Sequence, residues 1–312
     1  MKDIISQVDK DLIKQELTPE RFIRKTHKAN NVIYVVNAQN SPNTMLEIGR
    51  LREETFRMAG GGTGEPTDID QEDMAEGGYE QLIVFDPQAE EIIGGYRFII
   101  SRNQNPKHMS TEHYFSFNDN FRKKYLPYTI ELGRSFVQPH YQGTRTNSKG
   151  LYSLDNLWDG LGALMVTNPD MKYFLGKVTM YGSYDKQARN MLMYFMQKYF
   201  ADNENLVESI NPIELNIDTE AMKAIFVGNS FEENYKILSK QVRTLNENIP
   251  PLINSYINLS PTMKVFGTVT NPDFGEVEET GILITMSDIY PEKCERHTKD
   301  MLPPSKPLVV LR

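Results

Sequence analysis

Four short segments of the 312-residue chain set charged side chains in apolar or glycine-rich frames. They are Leu51-Arg52-Glu53-Glu54-Thr55-Phe56, Asp68-Ile69-Asp70-Gln71-Glu72-Asp73, Gly94-Gly95-Tyr96-Arg97 and Glu131-Leu132-Gly133-Arg134-Ser135-Phe136-Val137. Arg97 stands within residues 92–100, a run apolar on both faces and so a central strand. A guanidinium there is costly unless carboxylates pair with it. Glu131, inside the strand expected over 128–138, poses the same problem. Two readings stay open from spacing alone. One is a structural ion-pair network joining Arg52, Asp70 or Asp73, Arg97, Glu131 and Arg134. The other is an active site, because perturbed charges also cluster where chemistry is done.

Several chemistries lack their motifs. No G-x-G-x-x-G follows a strand, no H-E-x-x-H exists, and Gly176-Lys177 lacks the upstream glycine of a phosphate loop. Gly133-Arg134-Ser135 is no nucleophile elbow, since position 137 is valine. His108 and His113 read as ordinary polar residues, and Cys294 is the one cysteine. No metal, disulfide or bound cofactor is therefore expected. Net charge is 34 − 42 = −8, which argues against nucleic acid as a partner. The densest basic run is Arg122-Lys123-Lys124. No apolar run approaches the ~18 residues of a membrane helix, and residues 1–17 mix charge throughout, so a cytoplasmic location is expected.

The elements that must position these charges follow from periodicity and capping. Residues 3–16 read as an amphipathic helix, and Thr18-Pro19 as the start of another. Residues 31–38 form a strand. A helix capped by Ser41 or Asn43 runs to the stop at Gly60-Gly61-Gly62. An acidic, glycine-rich loop over 60–78 is expected to be mobile and to border the site. A hairpin (79–85 and 91–101), strands at 128–138 and 173–180, and helices at 151–166 and 185–200 follow. Helices appear at 231–248 and strands at 265–270 and 281–286. This pattern predicts an α/β (α+β) fold, a mixed sheet covered by helices. The division expected is an N-terminal helical segment (1–30), a core (31–205) and a C-terminal elaboration packed on it (206–312).

The order L-R-x-x-x-F, an acidic D-x-D-Q-x-D loop, G-x-R on a strand and E-L-x-R-S-F-x-V resembles the acyl-homoserine-lactone synthases. It is more similar to their GNAT-superfamily relatives, the bacterial N-acyltransferases of lyso-ornithine and glycine lipids, often labelled hemolysins. Residues 131–141, Pro250-Pro251-Leu252-Ile253, Tyr256 and Asp273-Phe274-Gly275 carry the likeness, which spans about residues 30–290. The resemblance implies a mostly antiparallel GNAT-like sheet. It implies transfer of a fatty acyl group, often 3-hydroxylated, from acyl carrier protein to an amino acid's α-amine. It puts Glu131, Arg134 and Arg97 at catalytic positions and Arg52, Phe56, Asp70, Asp73 and Ser135 at substrate-binding ones. Glu131 is the expected base, with Arg97 as its salt-bridge partner in the structural reading.

Residues 138–150 lack the compact glycine loop that cradles a pyrophosphate, which puts CoA use second to a carrier-protein donor. Arg122, Lys123, Lys124, Arg145 and Lys149 are the expected docking patch for that acidic carrier. Strict alternation puts Glu131 and Arg134 on opposite faces, and a β-bulge near Leu132-Gly133 would re-aim both. The competing readings are a signal synthase using S-adenosylmethionine and a non-catalytic or membrane-active protein. The first lacks its first-helix tryptophan, since the one tryptophan is Trp158; the second lacks a cationic amphipathic helix. Peripheral contact with the inner face of the membrane stays open.

Overall fold

The computed structural model describes residues 1–103, 109–142, 150, 152–299 and 301. Its strands are β1 (Phe22–Lys25), β2 (Val32–Val36), β3 (Glu80–Asp86), β4 (Glu91–Ile100), β5 (Phe115–Phe117), β6 (Thr129–Val137), β7 (Tyr173–Met180), β8 (Val207–Ser209), β9 (Lys264–Asn271) and β10 (Val277–Thr285). Eight of them build one sheet in the order β1-β2-β3-β4-β6-β7-β10-β9, and β5 pairs with β8. Every neighbouring pair is antiparallel except β6 and β7. This is the mixed sheet expected from the pattern, mostly antiparallel as the resemblance implies.

The helices are α1 (Lys10–Glu16), α2 (Pro42–Ala59), α3 (Gln71–Met74), α4 (Asp119–Lys124), α5 (Ser153–Thr167), α6 (Lys186–Phe200), α7 (Thr219–Ile225), α8 (Phe231–Thr244), α9 (Pro251–Ile257) and α10 (Pro291–Thr298). On one face of the sheet α2 packs Met45, Ile48, Leu51 and Phe56 against Val36, Ile83, Phe85 and Phe136. On the other, α5, α6, α8 and α9 cover Leu82, Tyr96, Leu132, Phe174 and Ile282. None of the described helices is long and apolar enough to cross a membrane.

Local chemistry moved several expected boundaries. The N-terminal helix starts only at Lys10, because Asp9 caps it by accepting the Asp11 N–H. Thr18-Pro19 opens a single short turn, Pro19–Arg21, and the chain then pairs with β2 as edge strand β1. Ser41 sits at the cap position of α2 but makes no capping bond. Glu16 caps instead, accepting the N–H groups of Asn43 (3.0 Å) and Thr44 (2.7 Å). The helix ends at Gly60, whose φ of 95° suits glycine. Beyond residue 205, β9 and β10 continue the same sheet, and β10 pairs with β7 from Glu278 to Thr285. That strand begins four residues before the expected 281 and carries Glu279 inside it.

β6 holds the expected bulge slightly later than anticipated. Gly95 lies opposite Phe136 and Arg97 opposite Gly133, so two residues, Arg134 and Ser135, face Tyr96. Arg134 takes a left-handed φ of 51°. The extra residue reverses side-chain parity. Ile130 and Leu132 face the α5–α6 layer, whereas Phe136 faces α2. Arg134 is thereby turned to the face that Arg97 and Glu131 share. The parallel register of β6 and β7 covers only Thr129–Glu131 against Tyr173–Leu175. A Cβ on Gly176 would stand 3.0 Å from the Leu132 carbonyl oxygen, so glycine permits close approach where the two strands begin to part.

The last helix is tied down by buried Asp159 on α5. It accepts from His27 Nδ1 (2.8 Å), the His27 N–H (2.8 Å) and His297 Nδ1 (2.9 Å). Burial acts to raise the Asp159 carboxyl, but the bonds from His297 and His27 outweigh it and hold the group below its ordinary value. A depressed carboxyl contributes stability above the unfolded value of ~3.9 and loses it as pH falls through the folded value. Asp159→Ala is expected to lose on the order of 1.5–3 kcal/mol at pH 7, the scale of hydrogen bonds to a charged group. Urea unfolding should show the gap from wild type closing below about pH 4. A gap independent of pH would contradict this assignment.

Candidate active site

Three arginines from α2, β4 and β6 meet three aspartates from one segment. Arg52 is fully buried; its Nη1 donates to Asp73 Oδ2 at 3.2 Å and its Nη2 to Gln81 Oε1. Arg97 Nη1 lies 2.6 Å from Asp70 Oδ2 and 3.2 Å from Asp73 Oδ2. Its guanidinium carbon stands 4.2 Å from the centre of the Tyr79 ring. Arg134 Nε lies 3.1 Å from Asp68 Oδ2, and the same guanidinium stacks 4.2 Å over Phe274. Gln81 Nε2 donates to the second oxygen of Asp73 at 2.9 Å. Asp70 and Asp73 cap α3 reciprocally, each carboxylate accepting the other's N–H.

The shifts follow from burial set against charge. Burial acts to lower the Arg97 guanidinium, but Asp73 and Asp70 override it and hold it well above the ordinary value. Burial acts to raise Asp70, and Arg97 holds it well below the usual carboxylate range. At Asp68 burial wins over Arg134 and Arg52 and the carboxyl is raised. The 60–78 segment, expected to be a mobile loop, is joined to the sheet and α2 by this network. Three aspartates anchor it, the Asp68 N–H donates to the Gly49 carbonyl, and Glu53 accepts the N–H groups of Thr63 and Gly64.

Glu131 does not pair with Arg97. Tyr79 stands between them and donates its hydroxyl to Glu131 Oε2 at 2.6 Å. The other oxygen accepts from Ser110 Oγ (3.1 Å), the Thr111 N–H (2.8 Å) and Thr111 Oγ1 (2.5 Å). Both groups do lie on one face, two residues apart in β4–β6 register. Neutral donors satisfy the carboxylate instead and fasten the turn at Ser110–His113 to the sheet.

Where β6 and β7 part, a cavity of about 260 Å³ opens. Phe56, Arg97, Arg134 and Ser135 reach its wall, as do Pro250, Pro251, Leu252, Tyr256 and Phe274. Arg52, Asp70, Asp73 and Glu131 are not part of that wall; they stand behind it and hold what does. Ser110, Lys177 and Glu279, which the sequence did not mark as site residues, also line it. Lys177 Nζ donates to Ser110 Oγ at 3.1 Å and stands 3.8 Å from Glu279 Oε2. The signal for Glu279 was a carboxylate in a strand whose residues 279–284 are buried on both faces. For Lys177 it was a cation within an apolar strand.

A second cavity of about 210 Å³ adjoins the first through Leu132, Ser135, Pro251, Leu252 and Tyr256. Tyr96, Phe136, Val137, Leu154, Leu157, Trp158 and Leu161 complete its largely apolar wall. A polar end joined to an apolar annex suits an amphiphile whose reacting group is polar. Past Glu131 the edge of β6 that faces β7 has lost its partner strand. Residues Leu132, Gly133, Arg134 and Ser135 on that edge line the cavity. No group of His, Cys, Asp and Glu among the described residues is arranged to hold a metal ion.

The basic run lies on the last turn of α4. Arg122 is paired with Glu112 at 2.8 Å and Lys123 with Asp119 at 3.2 Å, both at the surface. Arg145 and Lys149, like His108, lie outside the described residues.

Residues 51–150 match the acetyltransferase (GNAT) domain family. That span holds the arginine–aspartate network and Glu131 and ends before Lys177 and Glu279. A glycine N(alpha)-acyltransferase of Phocaeicola vulgatus is 51% identical over 307 residues, 97% of this chain and 94% of that protein. Another glycine N(alpha)-acyltransferase, of Bacteroides thetaiotaomicron, is 52% identical over 97% of this chain and 91% of its own. No solved structure matches the chain.

Removing one partner of a buried ion pair leaves the other uncompensated, at about 3–5 kcal/mol, against about 0–1 kcal/mol for an exposed pair. Arg52→Ala and Arg97→Ala are each expected to lose the larger amount in urea unfolding, and Arg122→Ala the smaller. Equal losses at all three positions would show that the network is not what holds the 68–73 segment.

Proposed function

This chain belongs to the GNAT-type bacterial N-acyltransferases and moves an acyl group onto an amino acid, and we propose that its acceptor is glycine and its donor a 3-hydroxyacyl group on acyl carrier protein. The observation that carries the reading is the pair of adjoining cavities, a charged one where β6 and β7 part and an apolar one walled by β6, α5 and α9. The charged end suits a small zwitterion and the apolar end a fatty chain. The strand split between them suits the thioester carbonyl. The names of the two similar enzymes support glycine as acceptor.

In this reading the amine nitrogen attacks the thioester carbon, a C–N bond forms, and the C–S bond breaks as the carrier's thiol leaves. Charge that develops on the carbonyl oxygen would be met by backbone N–H groups at the bulge of β6, fixed before the reaction starts. Arg134, held by Asp68 and Phe274, keeps the bulge in its left-handed turn. Arg97, Arg134 and Lys177 give the polar end a positive field that suits the acceptor's carboxylate.

One polar atom supports a hydroxylated chain. Tyr96 lines the apolar cavity, and its buried Oη has no hydrogen-bond partner. An unsatisfied buried hydroxyl costs about 1–3 kcal/mol, so a 3-hydroxyl that meets it is favoured. Two features support a carrier-protein donor. Residues 138–150 lack a pyrophosphate loop, and α4 carries a surface cluster of three cations.

The test supplies purified protein with glycine and 3-hydroxyacyl or unsubstituted acyl groups, each on carrier protein and on CoA, and reads products by mass spectrometry. N-acylglycine is expected, with the carrier-bound 3-hydroxyacyl donor preferred. Tyr96→Phe should cut the preference for the hydroxylated chain by about tenfold, the equivalent of ~1.4 kcal/mol. Equal use of CoA donors would overturn the carrier assignment, and an unchanged chain preference in the variant would overturn the role of Tyr96.

A further inference from the structure

Resting on the amino-acid N-acyltransferase reading, we propose that Glu279 on β10, not Glu131 on β6, takes the proton from the attacking amine. The two carboxylates differ in what their oxygens already do. Glu131 accepts four hydrogen bonds from neutral donors and does not reach the cavity. Glu279 lines the cavity, its side chain is 5% exposed, and its Oε2 has no hydrogen-bond partner. The nearest cation, Lys177 Nζ, is 3.8 Å from that oxygen, too far for a hydrogen bond, and is already bonded to Ser110.

A buried carboxylate left without donors is costly for the free protein, so its presence calls for a ligand that completes it. The ligand must bring N–H donors and positive charge, which an amino acid's ammonium does. The groups that face Glu279 fit a zwitterion. Lys177 comes from β7, Arg134 from β6, Tyr181 follows β7, and Tyr114 precedes β5. Tyr114 cannot serve as the missing donor, because its hydroxyl is committed to Asn271 Oδ1 at 2.8 Å. Val269 on β9, opposite Glu279, adds no charge. The ammonium therefore meets Glu279 and the carboxylate meets Lys177, with the nitrogen beside the split in the strands.

The step balances as follows. The acceptor enters as its zwitterion, and Glu279 takes one of the three ammonium protons. The neutral nitrogen attacks the thioester carbon, and the C–S bond breaks as the tetrahedral adduct collapses. The second proton of the nitrogen passes to the departing sulfur, giving a thiol, and the third stays on the amide. Protonated Glu279 then releases its proton to water once the product leaves.

The experiment compares full-length wild type with Glu279→Gln, using whichever amino acid wild type acylates best. A wrong acceptor assignment then shows in the wild-type product, and a wrong base assignment shows only in the variant. Loss of a positioned base is expected to lower kcat/KM by at least ~100-fold at pH 7. The deficit should shrink as pH rises and the free amine becomes neutral without help. Because the orphaned charge is removed, the melting temperature should stay level or rise, whereas a structural role would lower it. A variant with near-wild-type kcat/KM, one whose deficit is the same at every pH, or one that loses stability overturns the proposal. So does a parallel Glu131→Gln protein, folded as wild type, that alone loses the acid limb of the pH profile.

Discussion

Asp73 is the point at which the architecture is decided. One buried carboxylate receives two guanidinium groups, from a helix and from a central strand, together with a glutamine amide. None of these partners tolerates burial alone, so none can be placed without the others. The requirement fixes where α2 lies against the sheet and brings the 68–73 segment across the ends of β3 and β4. It also leaves Arg97 oriented by carboxylates on one side, with part of its guanidinium free to reach the cavity. The formal charges are balanced, three against three, but only arginines of the set, Arg97 and Arg134, reach the cavity wall.

Against this rigid half, β6 supplies the break in regularity. A single extra residue turns Phe136 toward α2 and Ser135 toward α5. The strand can then close one face of the core at its start and the other at its end. The same irregularity, with the early end of the β6–β7 pairing, makes an opening inside a sheet that is otherwise continuous. An opening between hydrogen-bonded strands exposes backbone amides, a polar surface that no arrangement of side chains has to provide. Placing apolar helices α5 and α9 beside it adds the greasy annex, so head and tail of an amphiphile are received by different layers of one fold.

How much of this could be read from residues alone depended on whether the determining contact was local. The glycine stop of α2 and the central position of Arg97 were legible, because each follows from its neighbours in sequence. The cap of α2 was not, since Glu16 supplies it from another helix. The bulge was foreseen from Gly133, although the strained residue is Arg134. Charges within apolar strands marked the network correctly but not its pairing. Period-two alternation says which face a group takes, and Tyr79 decides that Glu131 meets hydroxyls instead of a guanidinium. Lys177 and Glu279 went unseen because their meaning lies in the juxtaposition of β7 with β10, a hundred residues apart in the chain.

That late strand has a consequence for how the molecule comes into being. β10 is the last of the described strands to be made, yet it sits between β7 and β9 in the interior of the sheet. Until about residue 285 has been synthesised, β7 is an edge with unpaired backbone groups along most of its length, the kind of edge that recruits other chains. Pairings of such long sequence separation form slowly, because loop-closure entropy must be overcome before the contacts reward it. The emerging polypeptide therefore passes through a stage in which α2 and β1–β4 can assemble locally while the future reaction chamber stands open on one side. The chamber takes Glu279, Ile282 and Ile284 of its wall from β10, so closure of the sheet and completion of the chamber are one event.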